Sequence, residues 1–296
     1  MLIITNRAWA DTRPRLEEWA KASGHAFYDI QQISGNSEIK LSEAELNQSV
    51  LISLEADVPN LEALRDHHLI RTILPIREDH EDEDIERSIA YLDRLSKQAN
   101  RSDSIILDSH PSDGEEFHIS LDRSDDRWKL IEDLGNYTET KPVFDGFKDI
   151  AKTIASELLT NAFYNAPQDA NGNPLQPVRS EGVELIPPRR VEFSYGDDGV
   201  YIWIKVSDPF GTFNRAKLLK HLLSCADKDK LVVRDGVGGA GIGLFMVFKW
   251  AAELLFVFEP GQTTFVLVKL LKTKRMKIFD NQRAIFEVIE RHRARP

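Results

Sequence analysis

Apolar positions in the first hundred residues alternate between short unbroken runs and helical spacing. Leu2 to Thr5, Phe27 to Ile33, Val50 to Leu54 and Ile70 to Ile76 are runs of strand length. Between them, Leu16, Trp19 and Ala20 recur on one helical side after Pro14, and Gly24 ends that segment. Asn60 is placed to cap a helix through Leu64. Beyond the acidic run Glu78 to Asp84, the residues Ile85, Ile89, Leu92 and Leu95 keep helical spacing. The acids suit the positive end of that helix's dipole. The alternation of strand and helix predicts a small α/β module over 1–108.

The pattern changes after Asn100 to Gly114, a stretch rich in Ser, Asp, Pro and Gly that reads as a linker. Phe117 to Leu121 predicts a strand, followed by helices over about Asp125 to Asn136 and Val143 to Asn165. Val191 to Tyr195 and Val200 to Val206 alternate around Gly196-Asp-Asp-Gly199, a hairpin pattern. A helix follows Gly243, and strands are expected at Leu255 to Phe258 and Thr264 to Leu271. Strands and helices here come in runs, which predicts an α+β domain over 109–272 with an antiparallel or mixed sheet. The rest, 273–296, reads as a basic tail forming an amphipathic helix, with Phe279, Ile285, Phe286 and Ile289 as its buried side.

Composition narrows the function classes. Hydrophobic residues make up 42% and charged residues 29%, enough to build cores and stay soluble. Leu244 to Phe258 is the most apolar stretch, but Lys249 and Glu253 interrupt it, so no membrane span is expected. The first residues lack a signal-peptide core, and a cytoplasmic protein is expected. Cys225 is a single cysteine and the eight histidines lack zinc spacing, which argues against disulfide and structural zinc scaffolds. The net charge of −10 disfavours a nucleic-acid partner. That charge is uneven: Lys269 to Pro296 holds nine Lys and Arg against three acids.

The chemistry begins with glycines. Gly236-Val-Gly238-Gly239-Ala-Gly241 matches the dinucleotide fingerprint G-x-G-x-x-G, and Glu259 stands 18 residues beyond it. A doubly wound sheet would need further βα units after Glu259, and 37 residues are too few for them. The same stretch also reads Gly239-Ala-Gly241-Ile-Gly243-Leu244, exposed backbone at a helix N-terminus, which attracts phosphate. Glu157 and Asn161 stand four residues apart on one helix face, where a carboxylate and an amide oxygen suit magnesium and the carboxylate can take a proton. Asp208 ends a strand beside Gly211, positioned to accept from an adenine amino group, and Gly261-Gln-Thr263-Thr264 opens the last strand. Each piece alone is common on protein surfaces.

Taken in order, these pieces resemble the Bergerat-fold (GHKL) ATP-binding domain of histidine kinases, MutL-type mismatch-repair proteins and type II topoisomerases. Glu157 and Asn161 match its N box, Asp208 and Gly211 its first glycine box, Gly239, Gly241 and Gly243 its second, and Thr263 and Thr264 its last. The resemblance covers about Phe117 to Leu271, and within the family the look is nearest to anti-sigma-factor serine kinases. It implies ATP and Mg²⁺ as cofactors: Mg²⁺ on Asn161 (with Glu157 through water), adenine on Asp208, and phosphates on the second glycine box, with Asn165 and Leu244 also at the nucleotide. It implies Glu157 as the carboxylate that prepares a partner's serine hydroxyl, chemistry that is mostly positioning. A protein partner is implied, as substrate or regulator, and relatives often dimerise. The alternative of another class is a nucleotide-gated interaction switch without transfer. A histidine kinase acting in trans is held in reserve.

This sequence departs from the family pattern in places. Asp208-Pro-Phe-Gly211 replaces Asp-x-Gly-x-Gly, and Asn165 stands where a basic side chain or histidine often follows the N box. Pro167 to Pro188 is a long insertion, read as a disordered excursion or a partner-docking loop. Thr212 to Val237 would form the lid, with Lys217, Lys220, Lys228, Lys230 and Arg234 on hand and one lysine expected at phosphate. His80-Glu81 lacks the proline of a phosphoacceptor helix, which disfavours autophosphorylation. The first module weakly resembles a degenerate receiver domain in which Ser53 replaces the phosphoacceptor aspartate and Thr5-Asn6-Arg7 the acidic pair. Such a module would bind without being phosphorylated.

Overall fold

The structure is a computed structural model, and it describes residues 2–5, 13–24, 26–29, 49–54, 57–66, 70–77, 80–97, 115–176, 181–226 and 242–291. The fold is α+β. The chain divides into two compact units, Met1–Ser109 with Ile285–Glu287, and His110–Ala284 with Val288–Pro296.

In the first unit, strands β1 (Leu2–Thr5), β2 (Ala26–Asp29), β3 (Ser49–Leu54) and β4 (Ile70–Ile76) are all parallel, in the order β2-β1-β3-β4. Helices α1 (Arg13–Ala22), α2 (Asp57–Asp66) and α3 (Glu81–Lys97) alternate with them. Helix α1 lies between β1 and β2, and α2 between β3 and β4, the crossover through a helix that parallel pairing calls for. Helix α2 begins at Asp57 rather than at an Asn60 cap. Pro59 sits in its first turn, where a missing N–H costs nothing, and Leu61 and Leu64 are buried. The acidic start of α3 has a structural use. Asp84, 2% exposed, accepts from the Arg77 backbone N–H and from Nε and Nη2 of its guanidinium, each at 2.8 Å. Thr5 and Ser53 both lie near the carboxyl ends of neighbouring parallel strands. Asn6 and Arg7 lie outside the described residues.

The second unit is built on an antiparallel sheet of β5 (Glu115–Leu121), β6 (Val191–Asp197), β7 (Tyr201–Asp208), β8 (Glu253–Glu259) and β9 (Thr263–Leu271), in the order β5-β6-β7-β9-β8. Its helices are α4 (Arg127–Glu139), α5 (Phe147–Thr160), α6 (Arg215–Ala226), α7 (Ile242–Trp250) and the short α8 (Met276–Asp280). Helix α5 packs on α4, α7 and β7. Its buried side, Phe147, Ala151, Ile154, Ala155 and Leu158, recurs at three and four residues and forms one apolar stripe. On the sheet, Ile202, Ile204 and Val206 are buried with their register partners Leu270, Val268 and Val266. Asp208 continues that parity opposite Thr264, so the face that builds the core also points the aspartate inward. The β6–β7 turn is tighter than Gly196-to-Gly199 spacing suggests. Gly196 stays in β6, opposite Trp203, and a Cβ there would meet the Glu115 carbonyl and the Trp203 ring.

Two expectations are corrected here. The segment 273–296 is not an amphipathic helix: after α8, Ile285–Glu290 is a strand, β10. In the first unit, Phe286 and Glu287 of β10 pair antiparallel with Ile73 and Thr72. The reason is that Ile285, Phe286, Val288 and Ile289, on either side of Glu287, are all buried, which a strand covered on both faces accommodates and a half-exposed helix does not. Phe279, in α8, is buried against Phe144 and Phe147 at 5.1 and 5.7 Å between ring centroids. The second correction concerns Pro167 to Pro188, whose described residues are tied down and not a disordered excursion. Asp169 Oδ1 accepts from the Asn171 and Asn173 amides, the Val183 amide donates to Ser124 Oγ at 2.8 Å, and Leu185 is buried. Among the described residues, no helix is long and apolar enough to cross a membrane.

Candidate functional site

One wall of the site comes from the end of α5. Beyond Thr160 the helix widens into a π turn, Asn161–Asn165, a local form often found at functional sites. Phe163 and Tyr164 anchor this turn in the core, and Tyr164 Oη accepts from Arg127 Nη1 and donates to the Glu181 carbonyl, both at 3.0 Å. The opposite side of the turn is polar. Asn161 Nδ2 donates to Glu157 Oε1 at 3.1 Å, and Asn165 Nδ2 donates to Asn161 Oδ1 at 2.5 Å. Gln168 Nε2 then donates to the Asn165 carbonyl at 2.8 Å.

The floor is the end of β7 against the start of β9. Asp208 is 7% exposed, and its Oδ1 accepts from the backbone N–H groups of Phe210 and Gly211 at 2.9 and 3.2 Å. Thr263 Oγ1 donates to the Asp208 carbonyl at 2.7 Å and lies 2.9 Å from Ser207 Oγ. Gly211 has φ of +57°, and a Cβ there would meet the Glu259 carbonyl and the amides of Gln262 and Thr263. Both the left-handed backbone and the contact demand glycine. Gly211→Ala is therefore expected to destabilise the second unit by about 3 kcal/mol or more, read as a lower urea midpoint with unchanged slope.

The roof is helix α7. A Cβ on Gly243 would meet the Glu157 carboxylate, so this glycine lets the carboxylate lie against the first turn of α7. That end of the helix favours negative charge. Together these elements enclose a cavity of about 490 Å³ lined by Glu157, Asn161, Asn165, Asp208, Gly243, Leu244 and Thr264 among others. Gly211 and Thr263 do not line it; they hold Asp208 and the β8–β9 turn from behind. Gly239 and Gly241 lie outside the described residues, as do Lys228, Lys230, Arg234 and the apolar run Leu231 to Val233.

Several lining residues carry no motif of their own. Val206, Val266 and Phe256 come from β7, β9 and β8, on stretches that were expected to be strands. Gln168, Gly172 and Pro174 come from the insertion, and Lys217 and His221 from α6. Of these, Lys217 was among the lid cations from which one was expected at phosphate, whereas His221, Gln168, Gly172 and Pro174 carried no individual signal.

Burial sets the electrostatics of the floor. It pushes the Asp208 carboxyl up from 3.8 to about 6, because desolvation of the charged form outweighs the amides of Phe210 and Gly211 and the nearby Thr264. Thr264 Oγ1 is close enough to moderate that shift, yet it makes no hydrogen bond of good geometry and is left buried without a partner. The sign of the pH effect follows. Between about pH 4 and about pH 6 the folded state keeps a proton that the unfolded chain has released, so stability falls as pH rises, by roughly 3 kcal/mol, and is level above. The stability advantage of Asp208→Asn over the native protein is expected to grow through that window and then plateau. Urea unfolding of both proteins from about pH 4 to about pH 7.5 checks it, and a constant difference would refute the assignment.

The donor set suits one kind of metal site. Among the described residues no group of three or more His, Cys, Asp or Glu is arranged to hold a metal ion. Glu157 offers a carboxylate, and Asn161, whose Nδ2 faces that carboxylate, offers an amide oxygen on the side turned to Asn165, a hard, sparse set of the kind with which Mg²⁺ is held when a ligand's phosphates supply the remaining oxygens.

No protein-family model matches the chain, and no curated protein matches it.

Proposed function

We propose that the second unit binds ATP with Mg²⁺ in this cavity, and that the chain is a signalling protein that transfers the γ-phosphoryl group to a Ser or Thr hydroxyl of a partner protein. One observation carries the reading. Residues from four segments far apart in sequence, Glu157 with Asn161, Asp208, Gly243 with Leu244, and Thr264, line a single cavity. The chemistry of each end suits one part of the ligand. At the floor, Asp208 offers a buried carboxylate oxygen to an amino group on a flat apolar ring, flanked by Val206, Val266 and Phe256. The orphaned Thr264 hydroxyl gains a partner from the same ring. A base edge with a donor beside an acceptor satisfies both groups, and an unsatisfied buried group otherwise costs about 1–3 kcal/mol.

At the other end, Asn161 would hold Mg²⁺, with Glu157 reaching it through water. When bound, the metal neutralises phosphate charge and orients the terminal phosphate. Glu157 would accept the proton of the attacking hydroxyl, with Asn161 fixing its carboxylate by the 3.1 Å hydrogen bond. Gly243 contributes by having no side chain, which leaves Glu157 room beside α7. The switch reading shares the binding step and differs only in what Glu157 does. The first unit is proposed as an interaction module that is not phosphorylated, with Ser53 where an acceptor aspartate would stand.

Calorimetric titration with ATP in the presence of Mg²⁺ tests the reading. Saturable binding near one equivalent is expected, and its absence overturns the proposal.

A further inference from the structure

Among the described residues that line it, the cavity is short of positive charge. Glu157 and Asp208 are both carboxylates, and among the described lining residues Lys217 is the only lysine or arginine. A polyphosphate entering beside Glu157 meets like charge at close range, which needs fixed compensation besides a metal. The position after the N box offers none, since it holds Asn165.

Lys217 has three properties of a cation kept for a ligand. Its Nζ donates to the Thr212 carbonyl at 3.0 Å and lies 3.5 Å from Gln168 Oε1, both neutral oxygens. Among the described residues it has no carboxylate partner, whereas Lys141, Lys148, Lys152, Lys205 and Lys272 all have one. It also stands at the end of a continuous polar ladder. Glu157, Asn161, Asn165, Gln168 and Lys217 are joined link by link, running from the carboxylate at the roof to the ammonium on α6. Gln168 is the only member supplied by the insertion, which makes that segment a holder of the lysine rather than an ornament.

Resting on the nucleotide reading above, we propose that Lys217, aimed by Gln168 and the Thr212 carbonyl, is the phosphate-binding cation of this site and sets its preference for nucleotides over nucleosides. Lysine suits the task as a point charge that can exchange neutral oxygens for phosphate oxygens without losing hydrogen bonds. Gln168 is then a positioning residue, acting through the lysine.

The test is calorimetric titration of the full chain with Mg²⁺-ATP and, separately, with adenosine. Lys217→Met is expected to weaken ATP binding about 10- to 100-fold and leave adenosine within twofold, with Lys217→Arg recovering most of the ATP affinity. Gln168→Ala should give a smaller loss of the same selectivity. Lys220→Met, exposed on the same helix and outside the cavity lining, should change neither ligand. Equal losses for ATP and adenosine on Lys217→Met, unchanged ATP binding, or an equal effect from Lys220→Met would each overturn the role of Lys217. A native protein that binds neither ligand overturns the nucleotide reading itself, and so the two failures are distinguishable.

Discussion

Asp208→Ala is expected to weaken ATP binding by about 100- to 1,000-fold, because a buried site built around one acceptor loses its only charged contact to the base. The same change strips the acceptor from the amides of Phe210 and Gly211. Two orphaned donors cost stability, while removal of a buried carboxylate returns some of it, so a loss of binding by the alanine variant alone would not separate recognition from folding. Asp208→Asn separates them. Its side-chain oxygen still serves both amides, and its uncharged side chain is easier to bury, so the fold is at least as stable at neutral pH. Its new N–H₂, however, faces a donor on the base. The expected result is a protein with native or higher urea midpoint and ATP affinity reduced nearly as far as in the alanine variant. An asparagine variant that binds ATP as the native protein does would remove Asp208 from base recognition.

Glu157→Gln is expected to lower turnover of γ-labelled ATP by about 100- to 10,000-fold in single-turnover assays while changing ATP affinity by no more than about threefold. Glutamine is the same size and keeps an oxygen for Asn161 Nδ2, so the contact at 3.1 Å survives. What is lost is the capacity to take a proton. Release of labelled phosphate to water serves as the readout, so the assay needs no partner. If native and variant proteins consume ATP at the same slow rate and bind it equally well, the carboxylate has no transfer role and the nucleotide-gated switch is the better description.

Much of the site was readable from residue type and spacing. The i, i+4 pair Glu157 and Asn161 does meet, as the helix geometry requires. Strand parity put Asp208 on the same side as Ile202, Ile204 and Val206. Parity also separates two neighbours that motif matching joins: Thr264 lies opposite Asp208 and lines the cavity, while Thr263 points to the other side and holds the strand end. Other features were out of reach. A π turn at Asn161–Asn165 has no reliable composition signal, yet it is what turns Asn165 onto the wall with Asn161. The insertion's Pro, Gly and Asn content reads as loop, and nothing local says that Asp169 closes a turn or that Gln168 reaches the Asn165 carbonyl.

The C-terminal segment shows the same limit in the fold. Ile285, Phe286 and Ile289 suit either a helix stripe or a strand, because a short apolar run carries no period of its own. Pairing with Thr72 and Ile73 decides it.

By itself, the sequence determined the things that depend on neighbours along the chain: the alternation of strands and helices before the linker, a hairpin around Gly196 to Gly199, the helix that became α5, and the placement of a carboxylate and an amide one turn apart. The tertiary structure alone decided what depends on residues meeting from afar: the burial that pushes Asp208 up to about 6, the Gly243 contact that leaves Glu157 room at α7, and the neutral oxygens that hold Lys217. The division has a physical basis. Backbone periodicity is a local property, whereas desolvation, charge balance and close approach are set by whatever the fold brings within a few ångströms.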